Sequence, residues 1–340
     1  MRFILVSLAI AAIISCGHKN NRPDVSHIQM NVKINRFDKD FFSLDTNNIK
    51  GSVNKLYQLY PSFLPRYFEF FSPINFIIQQ QEKSGERAVL EYYRNIKPLF
   101  ESTQEKFRDV SFIKKGLDKN LRYIAYYYPS FKAPAVITTV ESLNPENAQE
   151  IYGTLYFNDT LVISLQMFLG KDFTAYDPTQ YFDYLRRRFE PQYIVPNSIR
   201  SIITSSIYPD TSQSASLIEQ MIDKGKQWYL MENFLPDTED SVITGFTKKQ
   251  LAWCKENEGN IWGFISQNDI YTQDVDIIQN YIGEAPFTQG MPEVSPGNIG
   301  QWIGWQIVKK FASKHPDYPL TKVVSTPART LFQESGYKPK

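Results

Sequence analysis

Cysteine and histidine are the scarce side chains of this 340-residue chain: Cys16 and Cys254 on one count, His18, His27 and His315 on the other. With so few thiols, an exported protein of this size folds without a disulfide network; a single Cys16–Cys254 bridge is the competing arrangement. His18 and His27 fall in a polar stretch near the N-terminus, leaving His315 alone in the rest of the chain. A zinc site built on imidazoles needs two rings one helical turn apart, and serine catalysis needs a base that is usually histidine. Both lack material here, and no cofactor is expected. Charge of either sign is also not in excess, with 37 basic and 36 acidic residues and a net charge of +1. Nucleic-acid binding leaves a basic stripe, so no nucleic-acid partner is expected. The triplet Arg186-Arg187-Arg188 is too short to be such a stripe and reads as a solvated helix end. A glycine-rich phosphate loop of the Walker type is missing too.

One apolar run stands out. After Met1-Arg2, the segment Phe3 to Ile14 has only Ser7 as a polar residue, and Ile13-Ile14-Ser15-Cys16 follows. The run is too short for a permanent membrane span, and a basic start before a short apolar run and small residues is a secretory signal. Its end resembles a bacterial lipobox, in which the cysteine carries lipid; a plain signal peptide with an incidental cysteine is the alternative. The organisation predicted is a signal peptide at 1–15, a tether at 16–27 and one domain at 28–340. The anchor predicts a cell-envelope protein held to a membrane through Cys16. With no acidic cluster directly after Cys16, the outer membrane facing the periplasm is the expected location.

The remainder has the composition of a globular body, with 42% apolar and 21% charged residues. Residues 32–37 alternate as a first strand, 135–140 is rich in β-branched residues, and 152–157 with 160–165 form a hairpin about Asn158-Asp159. A helical pattern covers about 73–128, where Phe107, Val110, Ile113, Leu117, Leu121, Ile124 and Tyr128 make one stripe. Further helices are predicted near 178–189, 197–206, 214–231, 248–267, 273–282, 297–314 and 327–335. Thr247 with Gln250 is a capping box. The Pro- and Gly-bearing stretch 284–297 is a long loop of the kind that binds or closes over ligands. These elements predict a single α+β body, mainly helical, with a small sheet.

Several blocks in this order resemble a family: Arg36-Phe37-Asp38, Leu165 to Asp172, Leu217 to Lys226, Gly245-Phe246, Trp253 to Glu258 with Ile261-Trp262, and Pro296 to Trp305. They are similar to the GldB gliding-motility lipoproteins of Bacteroidetes. The resemblance implies an envelope lipoprotein of the gliding and type IX secretion lineage, with a degenerate frame distantly akin to zinc peptidases that carry a His-Glu-x-x-His helix. It implies an acidic residue after Leu165, where this chain has Gln166. Where that kinship would place the metal helix, the chain reads Ile194 to Ile203 with neither histidine nor glutamate.

A non-catalytic interaction or assembly factor with an envelope protein or peptide partner is therefore expected. The alternatives are a hydrolase, either a carboxylate-dependent glycosidase or an atypical peptidase, and a glycan-binding lipoprotein using the aromatic excess. Seven residues and a cysteine carry the local expectations. Lys224 and Glu258 interrupt apolar helix faces and are expected to pair with each other or with other opposite charges. Gly225, Gly300 and Gly304 are expected at tight helix contacts. Trp253 and Trp305 lie off their helices' apolar stripes and are expected as satellites of the core or as groove aromatics.

Overall fold

A computed structural model describes residues 22–75, 78, 84–143 and 152–340; Cys16 and the signal-like run lie outside them. The chain order begins β1 (Ile34–Asn35), α1 (Phe37–Phe42), α2 (Ile49–Leu59) and α3 (Leu64–Arg66), which runs on into a π turn at Tyr67–Phe71. Then come α4 (Gly85–Lys106), α5 (Ser111–Tyr127), β2 (Ala135–Thr139), β3 (Thr154–Phe157) and β4 (Thr160–Ser164). The helical half holds α6 (Asp183–Arg186), α7 (Ile194–Ile202), α8 (Leu217–Phe234), α9 (Asp240–Thr244), α10 (Lys248–Glu256) and α11 (Glu258–Ile265). It closes with α12 (Val275–Ile282), α13 (Ile299–Lys314), α14 (Leu320–Ser325) and α15 (Ala328–Ser335). This is the mainly helical α+β body expected.

The sheet has the order β1-β2-β4-β3, parallel except for the β3–β4 hairpin. Asn158 and Asp159 both take positive φ, 45° and 55°, which fits the twist of a two-residue hairpin. Strands β2 and β4 are buried almost throughout, as a sheet covered on both faces requires. Helix α7 packs on β3 and β4, with α5 behind it.

Two apolar clusters result. One surrounds the sheet and the N-terminal helices; the other lies among α8, α10–α13 and the C-terminal segment. Helix α8 serves both: Leu217, Met221 and Trp228 face the second cluster, and Leu230, Met231 and Phe234 face the first. Its start is fixed by a capping box between Ser216 and Glu219.

Several boundaries depart from the sequence pattern. The stripe through 107–128 belongs to two helices, because Phe107 caps α4 and the Asp109 carboxylate accepts from the Ser111 amide to start α5. The expected 248–267 helix breaks at Asn257, whose side chain donates to the Trp253 carbonyl. At the break, Gly259 lies against the Lys340 backbone, 2.5 Å from where a Cβ would stand. Of the expected tether, residues 22–27 are described. Arg22 pairs with Asp237 at 2.5 Å and donates to the Pro236 carbonyl, and Val25 is buried. From Arg22 onward the chain is docked on the body.

Candidate functional site

A buried polar cluster lies where α7, α9 and the 284–297 loop meet. Two guanidinium groups lie over the Tyr152 ring, Arg188 at 5.6 Å and Arg200 at 5.2 Å from its centroid. Its hydroxyl donates to Glu284 Oε1 at 3.2 Å. The same oxygen receives Arg188 Nη1 at 3.0 Å and Asn298 Nδ2 at 3.4 Å. Arg200 donates to the Ile243 carbonyl at 2.7 Å. Burial pushes the Glu284 carboxyl up, but the Arg188 and Arg200 charges and the hydrogen bonds outweigh it and hold the group below its ordinary value.

Local sequence explains how Arg188 enters this space. Gly245 ends α9 with φ +74°, and a Cβ there would meet Arg188 Cδ at 2.8 Å. A glycine is thus needed for both conformation and room. The Arg186-Arg187-Arg188 run is not the solvated helix end expected from its sequence. Arg188 is 5% exposed, with Nε and Nη2 buried and unpartnered among the described residues.

Arg187 turns the other way, into an open cleft of about 750 Å³ walled by α5, α7 and α9. Its floor includes Val195, Pro196, Val242 and Phe246. Arg187 Nη1 donates to Gln250 Oε1 at 3.1 Å, an acceptor that also serves the Thr247 amide at 3.0 Å. Burial first, and then the neighbouring Arg188 charge, push the Arg187 guanidinium down. The cleft's carboxylates are already ion-paired, Asp237 with Lys119 and Arg22 and Glu239 with Lys248, both lysines lining the cleft themselves.

The residues singled out from sequence fall differently. Lys224 and Glu258 do not pair with each other. Lys224 meets Asp210 at 2.6 Å, while Glu258 is half-buried and accepts from the Tyr337 hydroxyl at 2.8 Å. The break at Asn257 takes Glu258 off the stripe that a continuous helix would have made. The buried lysine of α8 is Lys226, whose Nζ meets Asp223 at 3.2 Å, the Tyr208 hydroxyl at 3.1 Å and the Thr326 carbonyl at 2.8 Å. Gly225 and Gly304 lie at the α8–α13 crossing, where a Cβ on Gly304 would stand 1.7 Å from the Met221 carbonyl oxygen. Gly300 adjoins Tyr281 and Met221. Trp305 is buried, donating from Nε1 to Glu232 at 3.0 Å under the Lys309 ammonium. It is a core residue and not a groove aromatic. Trp253 is half-buried against the second cluster.

The 284–297 loop is not an open lid. Thr288 Oγ1 donates to the Pro296 and Gly297 carbonyls at 2.6 and 2.9 Å, and Thr288 and Ser295 are fully buried. Its working contribution is Glu284 at its first position. Sequence reasoning missed Tyr152, Arg188, Arg200 and Glu284, though Arg200 within the otherwise apolar Ile194–Ile203 run is a usable signal.

On α7, Asn197 donates to the Tyr152 carbonyl at 2.8 Å and Ser201 shares a hydrogen bond with Thr154 Oγ1 at 2.8 Å. These side chains tie the helix to the hairpin. Among the described residues, no group of three His, Cys, Asp or Glu side chains could hold a metal ion, and no helix is long and apolar enough to cross a membrane.

Fold and site together describe a helical frame around a small mixed sheet, with a cationic cleft on one face. The family model described as gliding motility protein GldB matches residues 18–339. The chain belongs to that family and is a gliding-motility-related lipoprotein of the cell envelope. No curated protein and no solved structure matches it.

Proposed function

We propose that the protein is a lipid-anchored, non-catalytic binding frame that holds an envelope protein or peptide in the cleft between α5, α7 and α9, as an interaction or assembly factor of gliding or type IX secretion. Lipid on Cys16 would tether it to the outer membrane on the periplasmic side. Kinship to zinc peptidases fits an α7 that braces the hairpin with Asn197 and Ser201 instead of holding a metal. The observation that carries the reading is the cleft: its volume is within the ~300–1,000 Å³ of ligand sites. It joins an apolar floor to polar walls and a guanidinium, that of Arg187, with no ion-paired carboxylate among the described residues.

Tethering suits such a role, because confinement at one membrane surface raises effective concentration without new contacts. A photo-crosslinking amino acid placed at Val195 or Val242 in living cells should give discrete protein adducts. The same group at exposed Tyr271 should not give those bands. Identical labelling at the three positions, or none at the cleft, would remove the basis for the reading.

A further inference from the structure

We propose that the cleft binds the carboxylate of a peptide segment through Arg187, with an apolar side chain beside that carboxylate resting on Val195, Pro196 and Phe246. This deepens the binding-frame reading and rests on it.

The first support is a count of charges. Arg188 neighbours both Arg187 and Arg200, and the Glu284 carboxylate acts on all three. Glu284 is bonded to Arg188, and Arg200 is turned to the Ile243 carbonyl. Arg187 is left with one neutral acceptor, Gln250, which the α10 capping box already uses. Its Nε is buried and unpartnered among the described residues. A partly buried cation without a counter-ion is costly, and a carboxylate entering from the cleft would supply one.

The second support is shape. The guanidinium fork accepts a carboxylate through two parallel hydrogen bonds, and this one opens on a cleft whose floor is apolar. The third is the balance of the rim. Asp237 and Glu239 line the same cleft, each paired with a lysine that lines it too, Lys119 and Lys248, which leaves Arg187 as the lining cation with no ion-paired carboxylate among the described residues. A monoanion with an apolar neighbour meets the floor and the fork together.

The test uses the detergent-solubilised full-length lipoprotein, titrated calorimetrically with N-acetyl-phenylalanyl-leucine as the free acid and as its amide. The acid should bind at least tenfold more tightly, about 1.4 kcal/mol. Arg187→Gln should erase the difference, and Arg187→Lys, which keeps the charge without the fork, should retain part of it. Equal binding of acid and amide, discrimination that survives Arg187→Gln, or no binding of the acid at low-millimolar concentration would overturn the proposal. Inorganic phosphate displacing the acid more effectively than acetate does would also overturn it. If adducts at Val195 persist while the acid and amide remain indistinguishable, only the carboxylate assignment falls. Loss of the adducts themselves removes the binding frame.

Discussion

Glu141 is a carboxylate fully enclosed at the end of β2. It accepts from the Thr139 hydroxyl, from Ser164 Oγ at 3.1 Å and from Gln166 Nε2 at 2.6 Å. Burial pushes its carboxyl above the ordinary value of 4.5, and those three hydrogen bonds pull back only part of the rise. The folded state therefore holds this proton more tightly than the unfolded chain does. The sign follows: the unfolded chain ionises first, so the penalty is absent below about pH 4, grows as pH rises and is complete above the folded-state value. Glu141→Gln should raise the urea midpoint at pH 8 relative to the parent, with a much smaller change at pH 4. The substitution has a partner available, since Gln166 Oε1 is buried and unsatisfied among the described residues and could accept from the new amide. An equal loss of stability at both pH values would show instead that folding leaves the proton affinity of Glu141 unchanged. The neutral side chain at 166 is intelligible in the same terms, because an acid there would set two carboxylates together in a closed space.

At the scale of elements, the α8–α13 crossing is the tightest joint, and a missing Cβ defines it. Gly225 faces the Gly304 carbonyl carbon at 2.2 Å and the Trp305 amide nitrogen at 2.4 Å from its own would-be Cβ. These are backbone atoms and cannot swing aside. Gly304→Ala should cost about 3 kcal/mol, the upper end for overpacking, whereas Gly263→Ala on α11 should stabilise by up to about 1 kcal/mol. A Cβ at Gly263 meets nothing within 4 Å, so only helix propensity changes. Thermal melting of the two variants checks both, and equal melting points would remove the crossing argument. This joint was legible from the spacing of glycines beside apolar positions. The Thr247–Gln250 box and the Asn158-Asp159 hairpin were legible for the same reason, since local chemistry decides them. Tertiary partners were not. Lys224 and Lys226 are two residues apart on α8, and only the folded positions of Tyr208 and Thr326 select Lys226 for burial. The Arg188–Glu284 pair joins residues 96 apart, a distance over which periodicity carries no information. The α10–α11 break likewise depends on the C-terminal Lys340 backbone lying against Gly259.

For the whole molecule, the docked N-terminal arm sets how the body would lie on its membrane. Between Cys16, the expected lipid site, and Arg22 there are five residues, and the six Cα–Cα steps reach roughly 20 Å when fully extended. A body of this length is roughly 50 Å across, so the anchor cannot pass to its far side while the arm stays docked. The face around Arg22 and Asp237 would then look toward the lipid. The cleft shares Asp237 with that ion pair, so a ligand would be taken up near the membrane surface. Helix α5 reports on this arrangement: Tyr123 and Tyr127 line the pocket beside Arg22, and neighbouring Tyr126 is exposed. A fluorophore on Tyr126→Cys should be quenched by nitroxide-labelled lipids when the lipoprotein is reconstituted in vesicles. Combining Arg22→Ala with Val25→Asp should free the chain as far as Val32, whose amide is held by Asp118 at 2.8 Å. That lengthens the reach to roughly 55 Å, and quenching should fall because the body is no longer held to one orientation. Unchanged quenching in the double variant, or none in the parent, would show that the arm does not orient the body. An exposed ion pair such as Arg22–Asp237 contributes little to stability, so melting should move only by what burial of Val25 supplies.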